Sequence, residues 1–219
     1  MPVTEQIHNQ NQTIERPQSN PVVSFYKFHA YIYDATRWAF LFGRDRLLQI
    51  LSIQEHDTIL EVGCGTGRNL LRLAKQYPQI RLIGVDFSKD MLKRAGFKTR
   101  FYDRRVFLFE RAYAPGSFEV KNKVNWIVCS YSLSMFNPGW EAAIERAEND
   151  LAPGGQFALV DFHRSKFHLF TWWMKQNHVR MDGHLIQKLE QTFDTVTKEI
   201  KPALFGLWHY AIYVGKKKA

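Results

Sequence analysis

Seven consecutive residues, Glu61-Val62-Gly63-Cys64-Gly65-Thr66-Gly67, carry the densest chemical signal in this chain. They follow Asp57-Thr58-Ile59-Leu60, which reads as a short buried strand, and they precede Arg68-Asn69-Leu70-Leu71-Arg72-Leu73-Ala74, which reads as a helix. A strand that stops in glycines before a helix leaves backbone N–H groups bare, and the missing Cβ atoms let a ligand approach the main chain. Asp86 closes the next apolar run nineteen residues beyond Gly67, the separation at which an acid at the end of a second strand grips ribose hydroxyls. Two common nucleotide loops do not fit. A dinucleotide loop reads G-x-G-x-x-G, and here the third glycine comes one residue early. A P-loop ends in Gly-Lys-Ser/Thr, and Gly67 is followed by Arg68. A strand–turn–helix without a ligand is the competing reading, but strand, loop, helix and distal acid agree on a ligand.

The E-V-G-C-G-T-G form resembles the nucleotide loop of class I S-adenosylmethionine-dependent methyltransferases. The resemblance implies that Glu61 faces the amino-acid part of S-adenosylmethionine, that Gly63, Gly65 and Gly67 pass beneath it, and that Asp86 takes the ribose. Phe87 and Ser130 complete the expected cofactor contacts. Four further runs extend the likeness: Tyr33-Asp34-Ala35-Thr36-Arg37, Phe42-Gly43-Arg44-Asp45-Arg46, Ser130-Tyr131-Ser132-Leu133-Ser134-Met135 and Val160-Asp161-Phe162. Together with the loop they resemble the N-methyltransferases of betaine-lipid synthesis, over roughly Tyr26 to Lys216. That resemblance implies methylation of the amine of a diacylglyceryl-homoserine lipid, with a 3-amino-3-carboxypropyl transferase as functional partner. One departure stands out: where the broader family places a Gly-Asp-Ala-like step near the adenine, this chain reads Glu110-Arg111-Ala112.

Methyl transfer from a sulfonium is an in-line displacement, accelerated by holding nucleophile, methyl carbon and sulfur collinear. An amine must first lose its proton, helped by desolvation or by a nearby base. Tyr33, Tyr131 and His163 are the candidates on the acceptor side, and tyrosine faces also suit a quaternary-ammonium product. Arg37 or Arg44 would pair with a homoserine carboxylate. Each has a plainer alternative: a core aromatic for Tyr33, an exposed loop histidine for His163, helix-surface ion pairs for Arg37 and Arg44. Asp161 either orients the site or makes a strand-end hydrogen bond.

These residues need a scaffold, and the pattern supplies one. Strands are expected at Thr58–Val62, Arg81–Asp86, Val106–Glu110, Trp126–Ser130 and Gln156–Asp161, with a late hairpin of Thr195–Lys201 and Trp208–Gly215. Helices are expected at Thr66–Gln76, Lys89–Ala95, Trp140–Leu151 and Gly183–Phe193. Pro153-Gly154-Gly155 reads as the turn that starts the fifth strand. The alternation implies an α/β, doubly wound, Rossmann-like sheet with its ligand at the carboxyl ends of the strands. The methyltransferase resemblance adds a reversed seventh strand and an N-terminal helical cap. The expected division is a disordered polar tail over 1–22 and one methyltransferase domain over 23–219, with the cap at 23–52 and the core at 53–219. Gly43 is expected to interrupt the cap before Arg44–Leu51.

The 219 residues carry a formal net charge of +9, concentrated between Lys75 and Lys123 and in Lys216-Lys217-Lys218. Such an excess favours an anionic partner, here an anionic bilayer, or is simply a solvated basic face. Nucleic acid is not the expected partner, because no RNA-binding module is recognisable. The two cysteines, Cys64 and Cys129, suggest neither a disulfide nor a metal cluster, and no histidine spacing suggests a metal. No apolar run reaches the length of a membrane span and the N-terminus is polar, so the expectation is a cytoplasmic protein, peripheral at the inner membrane face. The aromatic cluster Phe167–Lys175 fits a bilayer interface or a helix packed on the sheet, with Trp172 and Trp173 covering the late hairpin; the second is preferred. Two other functions stay open: methylation of a small soluble amine or RNA, and a non-catalytic cofactor-binding partner.

Overall fold

The computed structural model describes residues 41–117 and 123–218. The expected tail, most of the expected cap, and with them Tyr33 and Arg37, lie outside the described residues. The elements run α1 (Arg44–Ile50), β1 (Thr58–Val62), α2 (Arg68–Gln76), β2 (Arg81–Asp86), α3 (Lys89–Thr99), β3 (Val106–Glu110) and β4 (Val124–Ser130). They continue with α4 (Trp140–Asp150), β5 (Leu151–Arg164), α5 (His168–Gln176), α6 (His184–Thr192), β6 (Phe193–Ala203) and β7 (Trp208–Lys217).

One seven-stranded sheet has the order β3-β2-β1-β4-β5-β7-β6. The pairs from β3 through β5 are parallel, whereas β7 runs antiparallel to both β5 and β6. Strand order reverses between β1 and β4, and a crevice at their carboxyl ends follows from that reversal.

The central strands are apolar without alternation because both faces are covered. Their side chains nevertheless divide by parity. Ile59, Trp126 and Val128 join Leu70, Leu73 and Trp208 on one face, while Leu60, Val62 and Ile127 join Ile144, Leu189 and Tyr213 on the other. α2 buries Leu70, Leu73 and Ala74, a three-and-four spacing that lays one stripe on the sheet. Ser88 caps α3, its Oγ accepting from the Met91 N–H.

Two expectations need correction. Pro153-Gly154-Gly155 does not precede the fifth strand but lies within it: pairing jumps from Leu151–Val124 to Gln156–Trp126, and the extra residues are taken up as a bulge with Gly154 at φ +74°. The aromatic cluster does form a helix, α5, but Trp172 does not cover the hairpin; it is 58% exposed, while Phe170 and Met174 do the packing. Among the described residues no helix is long and apolar enough to cross a membrane.

Candidate active site

The glycine loop is strapped to the strand beside it. Gly63 and Cys64 N–H groups both donate to the Val85 carbonyl, at 2.8 and 3.1 Å. Gly63 (φ +68°) and Gly67 (φ +71°) could not be replaced freely. A Cβ on Gly63 would lie 2.5 Å from Ser132 Cβ, and one on Gly67 would lie 2.9 Å from Ala95 Cβ. The loop is thus pressed between the segment after β4 and the helix after β2, which leaves its other side to a ligand.

Asp86 locks this arrangement from the end of β2. Its Oδ2 accepts from the Gly65 N–H at 2.8 Å and its Oδ1 from the Ser88 N–H at 2.9 Å. Glu61 is buried at the end of β1, and its Oε1 accepts from Asn69 Nδ2 at 2.7 Å on the first turn of α2. Cys64 is buried beside both acids. Burial first, then the charges of Glu61 and Asp86, push its thiol well above the ordinary range, so it is no thiolate nucleophile.

Two cavities meet at Gly63. One, of about 450 Å³, is bordered by Gly65, Asp86, Phe87, Met91, Arg111 and Tyr113, and reaches His178 on the far side. The other, of about 630 Å³, has a strongly cationic wall: Arg44, Arg46, Arg68 and Lys98 against Asp45 and Glu61, with Phe42 and Tyr210 as aromatic sides. Asp45 accepts from Arg68 at 3.1 Å and is also paired with Arg72, and Arg46 pairs with Glu199 at 3.0 Å. Both cavities fall in the size range of small-molecule sites.

The segment after β4 closes the crevice. Ser132 Oγ donates to the Val62 carbonyl at 2.9 Å, and Asp161 Oδ2 accepts from the Ser134 N–H at 3.1 Å. Asp161 is fully buried; burial raises its carboxyl to about 6 against the lowering effect of the hydrogen bonds from Ser134 and Phe162. It therefore ties the segment after β4 to β5, the strand-end hydrogen bond that was one of its two expected roles.

Tyr131 lies where β4 ends, with φ +55°. Its N–H donates to the Val160 carbonyl and its hydroxyl donates to the Phe42 carbonyl at 2.7 Å. Burial first and Asp161 next push the phenol well above its ordinary range. The ring borders the smaller cavity and the hydroxyl pins the chain entering α1. That makes it a poor proton acceptor and a good positioning group.

The structure brings most of the expected residues together: Glu61, Gly63, Arg44 and Ser130 border the larger cavity, and Gly65, Asp86, Phe87 and Tyr131 the smaller. Gly67 lies outside both walls and shapes the loop. His163 is a correction. It borders neither cavity but lies against Gly183, and burial, followed by the charge of Arg164, lowers its imidazole from the ordinary value. The pairing of β5 with β7 gives the reason: Phe162 pairs with Tyr210 and Arg164 with His209, so His163 is the extra residue of a bulge and is turned out of the strand's regular alternation. Sequence reasoning missed Lys98 and His178, which reach the site from other elements, and gave Thr66 within the loop no role of its own. Lys98 is set in place by a 2.9 Å bond to Thr66 Oγ1.

The crevice fits an extended nucleoside carrying an amino-acid end. Ser130 Oγ is buried on the wall of the larger cavity and bonds to no described residue, and Asp86 reaches the wall of the smaller one, so polar groups wait at both ends.

Known proteins fit this geometry. Residues 60–157 match the family described as a methyltransferase domain. The 27-O-demethylrifamycin SV methyltransferase of Amycolatopsis mediterranei is 32% identical over 125 residues, 54% of this chain and 43% of that one. Carboxy-S-adenosyl-L-methionine synthase of Nautilia profundicola is 39% identical over 110 residues, 50% of this chain and 46% of that one. This chain spans about half the length, or less, of these curated relatives. The N-methyltransferase NodS of Bradyrhizobium japonicum, solved with S-adenosyl-L-homocysteine, has the same fold, with a TM-score of 0.73 at 19% identity over 91% of this chain and 100% of that one. Residues 60–157 thus match a methyltransferase domain, and the seven-stranded sheet that contains them has the fold of the N-methyltransferase NodS.

Proposed function

We propose that the protein transfers methyl groups from S-adenosylmethionine to the amine of an acidic amino headgroup, that of a diacylglyceryl-homoserine lipid. The observation that carries this reading is the cationic cavity meeting the nucleotide crevice at Gly63. When bound, the cofactor supplies an electrophilic methyl on a sulfonium, which the amine lone pair takes as the carbon–sulfur bond breaks. The chain's own residues do the rest. Asp86 holds the ribose and Glu61 faces the amino-acid end. Arg44 takes the headgroup carboxylate, and Tyr131 fixes Phe42 beside it.

Proton removal needs no dedicated base in this reading. Four cationic side chains against the two carboxylates of Asp45 and Glu61 leave the larger cavity net cationic, which favours an acceptor that attacks as the free amine. His163 has no part in it. A second reading takes the same cavity as a site for a small soluble acid, since a cationic wall suits any carboxylate. Trans-aconitate 2-methyltransferases are among the relatives, 42% identical over 53 residues in Afipia carboxidovorans.

Purified protein with labelled S-adenosylmethionine should label diacylglyceryl-homoserine in mixed micelles. Label in soluble homoserine or trans-aconitate instead, with none in the lipid, would move the acceptor assignment to the second reading.

A further inference from the structure

We propose that the α5 surface together with the β6–β7 turn is a docking surface for an anionic bilayer. Phe167, Leu169 and Trp172 stand exposed along α5, Leu169 at 79%. Leu204 and Phe205 stand exposed on the turn between β6 and β7, Phe205 with no cover at all. Three successive residues there take the left-handed region: Leu204 at φ +40°, Phe205 at +55° and Gly206 at +87°. Two of these are not glycine, so backbone strain is spent on pushing a phenylalanine outward.

The two pieces form one surface. Ser165 Oγ, just ahead of α5, donates to the Leu207 carbonyl at 2.6 Å and accepts from the Phe167 N–H at 3.1 Å. Phe170 of α5 stacks on Trp208, the first residue of β7, with ring centroids 5.3 Å apart. Large exposed apolar side chains gathered this way mark a contact surface.

Charge and position choose the occupant. Residues 162–181 contain no Asp or Glu but carry Arg164, Lys166 and Lys175, together with Arg180, which is paired with Asp182. Exposed phenylalanine, leucine and tryptophan flanked by lysine suit the boundary of an anionic bilayer, where the rings enter the interface and the cations meet lipid phosphates. The surface also leads to the site. The ring of Trp208 meets Phe42 at 6.0 Å, Phe42 meets Tyr210 at 6.3 Å, and both Phe42 and Tyr210 border the cationic cavity. A protein seated here would therefore present that cavity beside the headgroup layer. The inference rests on the lipid-acceptor reading for its purpose only, because vesicle binding is read without methyl transfer.

The test is co-sedimentation of the full chain with vesicles of phosphatidylcholine, with and without phosphatidylglycerol. The intact protein should bind the anionic vesicles. Trp172→Ser with Phe205→Ser should lower the bound fraction by roughly tenfold, while S-adenosylhomocysteine affinity stays unchanged and so reports an intact fold. Phe97→Ser with Phe101→Ser, on the other exposed aromatic patch beside Arg100, should leave binding as it was. The proposal is overturned if anionic vesicles bind nothing, if the Phe97/Phe101 pair and not the α5 pair controls binding, or if the α5 pair serves only to abolish self-association. Vesicle binding without any lipid methylation would leave this surface standing and remove only the acceptor assignment.

Discussion

Asp86 works at both ends of its carboxylate: it ties the glycine loop to the start of α3 and borders the cavity expected to hold a ribose. Replacing it with alanine removes a charged acceptor from the ligand and frees two backbone donors. Asp86→Ala should weaken S-adenosylhomocysteine binding by roughly 10- to 100-fold, measured by calorimetry. Tyr131→Phe should differ in kind. It strands the Phe42 carbonyl at a cost of about 1–3 kcal/mol and loosens the chain leading into α1. Turnover should fall while S-adenosylhomocysteine affinity holds; equal loss of affinity in the Tyr131 and Asp86 variants would contradict this division. His163→Ala should leave turnover within about twofold, because the half-buried ring borders neither cavity. That the glycine loop and Asp86 belong to one crevice was legible because glycine spacing and a distal acid are local features of the chain. The hydroxyl of Tyr131 was not, because its direction depends on a left-handed residue and on a carbonyl 89 positions away.

At the scale of elements, the loop after β1 and the segment after β4 brace one another through Gly63, Ser132 and Asp161. Gly63→Ala should destabilise the protein by about 2–4 kcal/mol, from overpacking against Ser132 and a strained positive φ, as read by urea unfolding. Asp161 adds a pH dependence with a definite sign. Its carboxyl titrates near about 6 when folded and near its ordinary value when unfolded, so between those values the folded chain holds more protons. Its contribution to stability is complete below the unfolded value and is lost as pH rises through about 6, on the order of 3 kcal/mol in all. Asp161→Asn should remove that component, so the urea-unfolding difference between variant and parent should move in the variant's favour as pH rises.

Every expected strand is present, and the central ones, β1, β4 and β5, were the plainest because a strand buried on both faces reads as a short apolar run. The ends were less legible. β5 extends back through Pro153-Gly154-Gly155 since β4 offers it partners across a bulge, a tertiary effect that turn residues alone do not reveal.

For the whole molecule, the +9 charge divides between structure and site. Arg105, part of the basic run, is occupied in bonding the Ala74 and Tyr77 carbonyls at the end of α2, at 2.8 and 2.9 Å. Arg44, Arg46, Arg68 and Lys98 instead gather around the larger cavity from three separate helices, which charge counting along the chain could not show. The larger cavity was hardest to read for that reason: its wall is assembled from α1, the start of α2, the end of α3 and β7, and proximity of that kind exists only in the folded chain.

Mass spectrometry of diacylglyceryl-homoserine, sampled over time after mixing with S-adenosylmethionine and the purified protein, tests the central claim most directly. The account predicts one, then two, then three methyl groups on the headgroup nitrogen, with the carboxylate unmodified. A methyl ester on the carboxylate, or unchanged lipid alongside measurable S-adenosylhomocysteine binding, would contradict it.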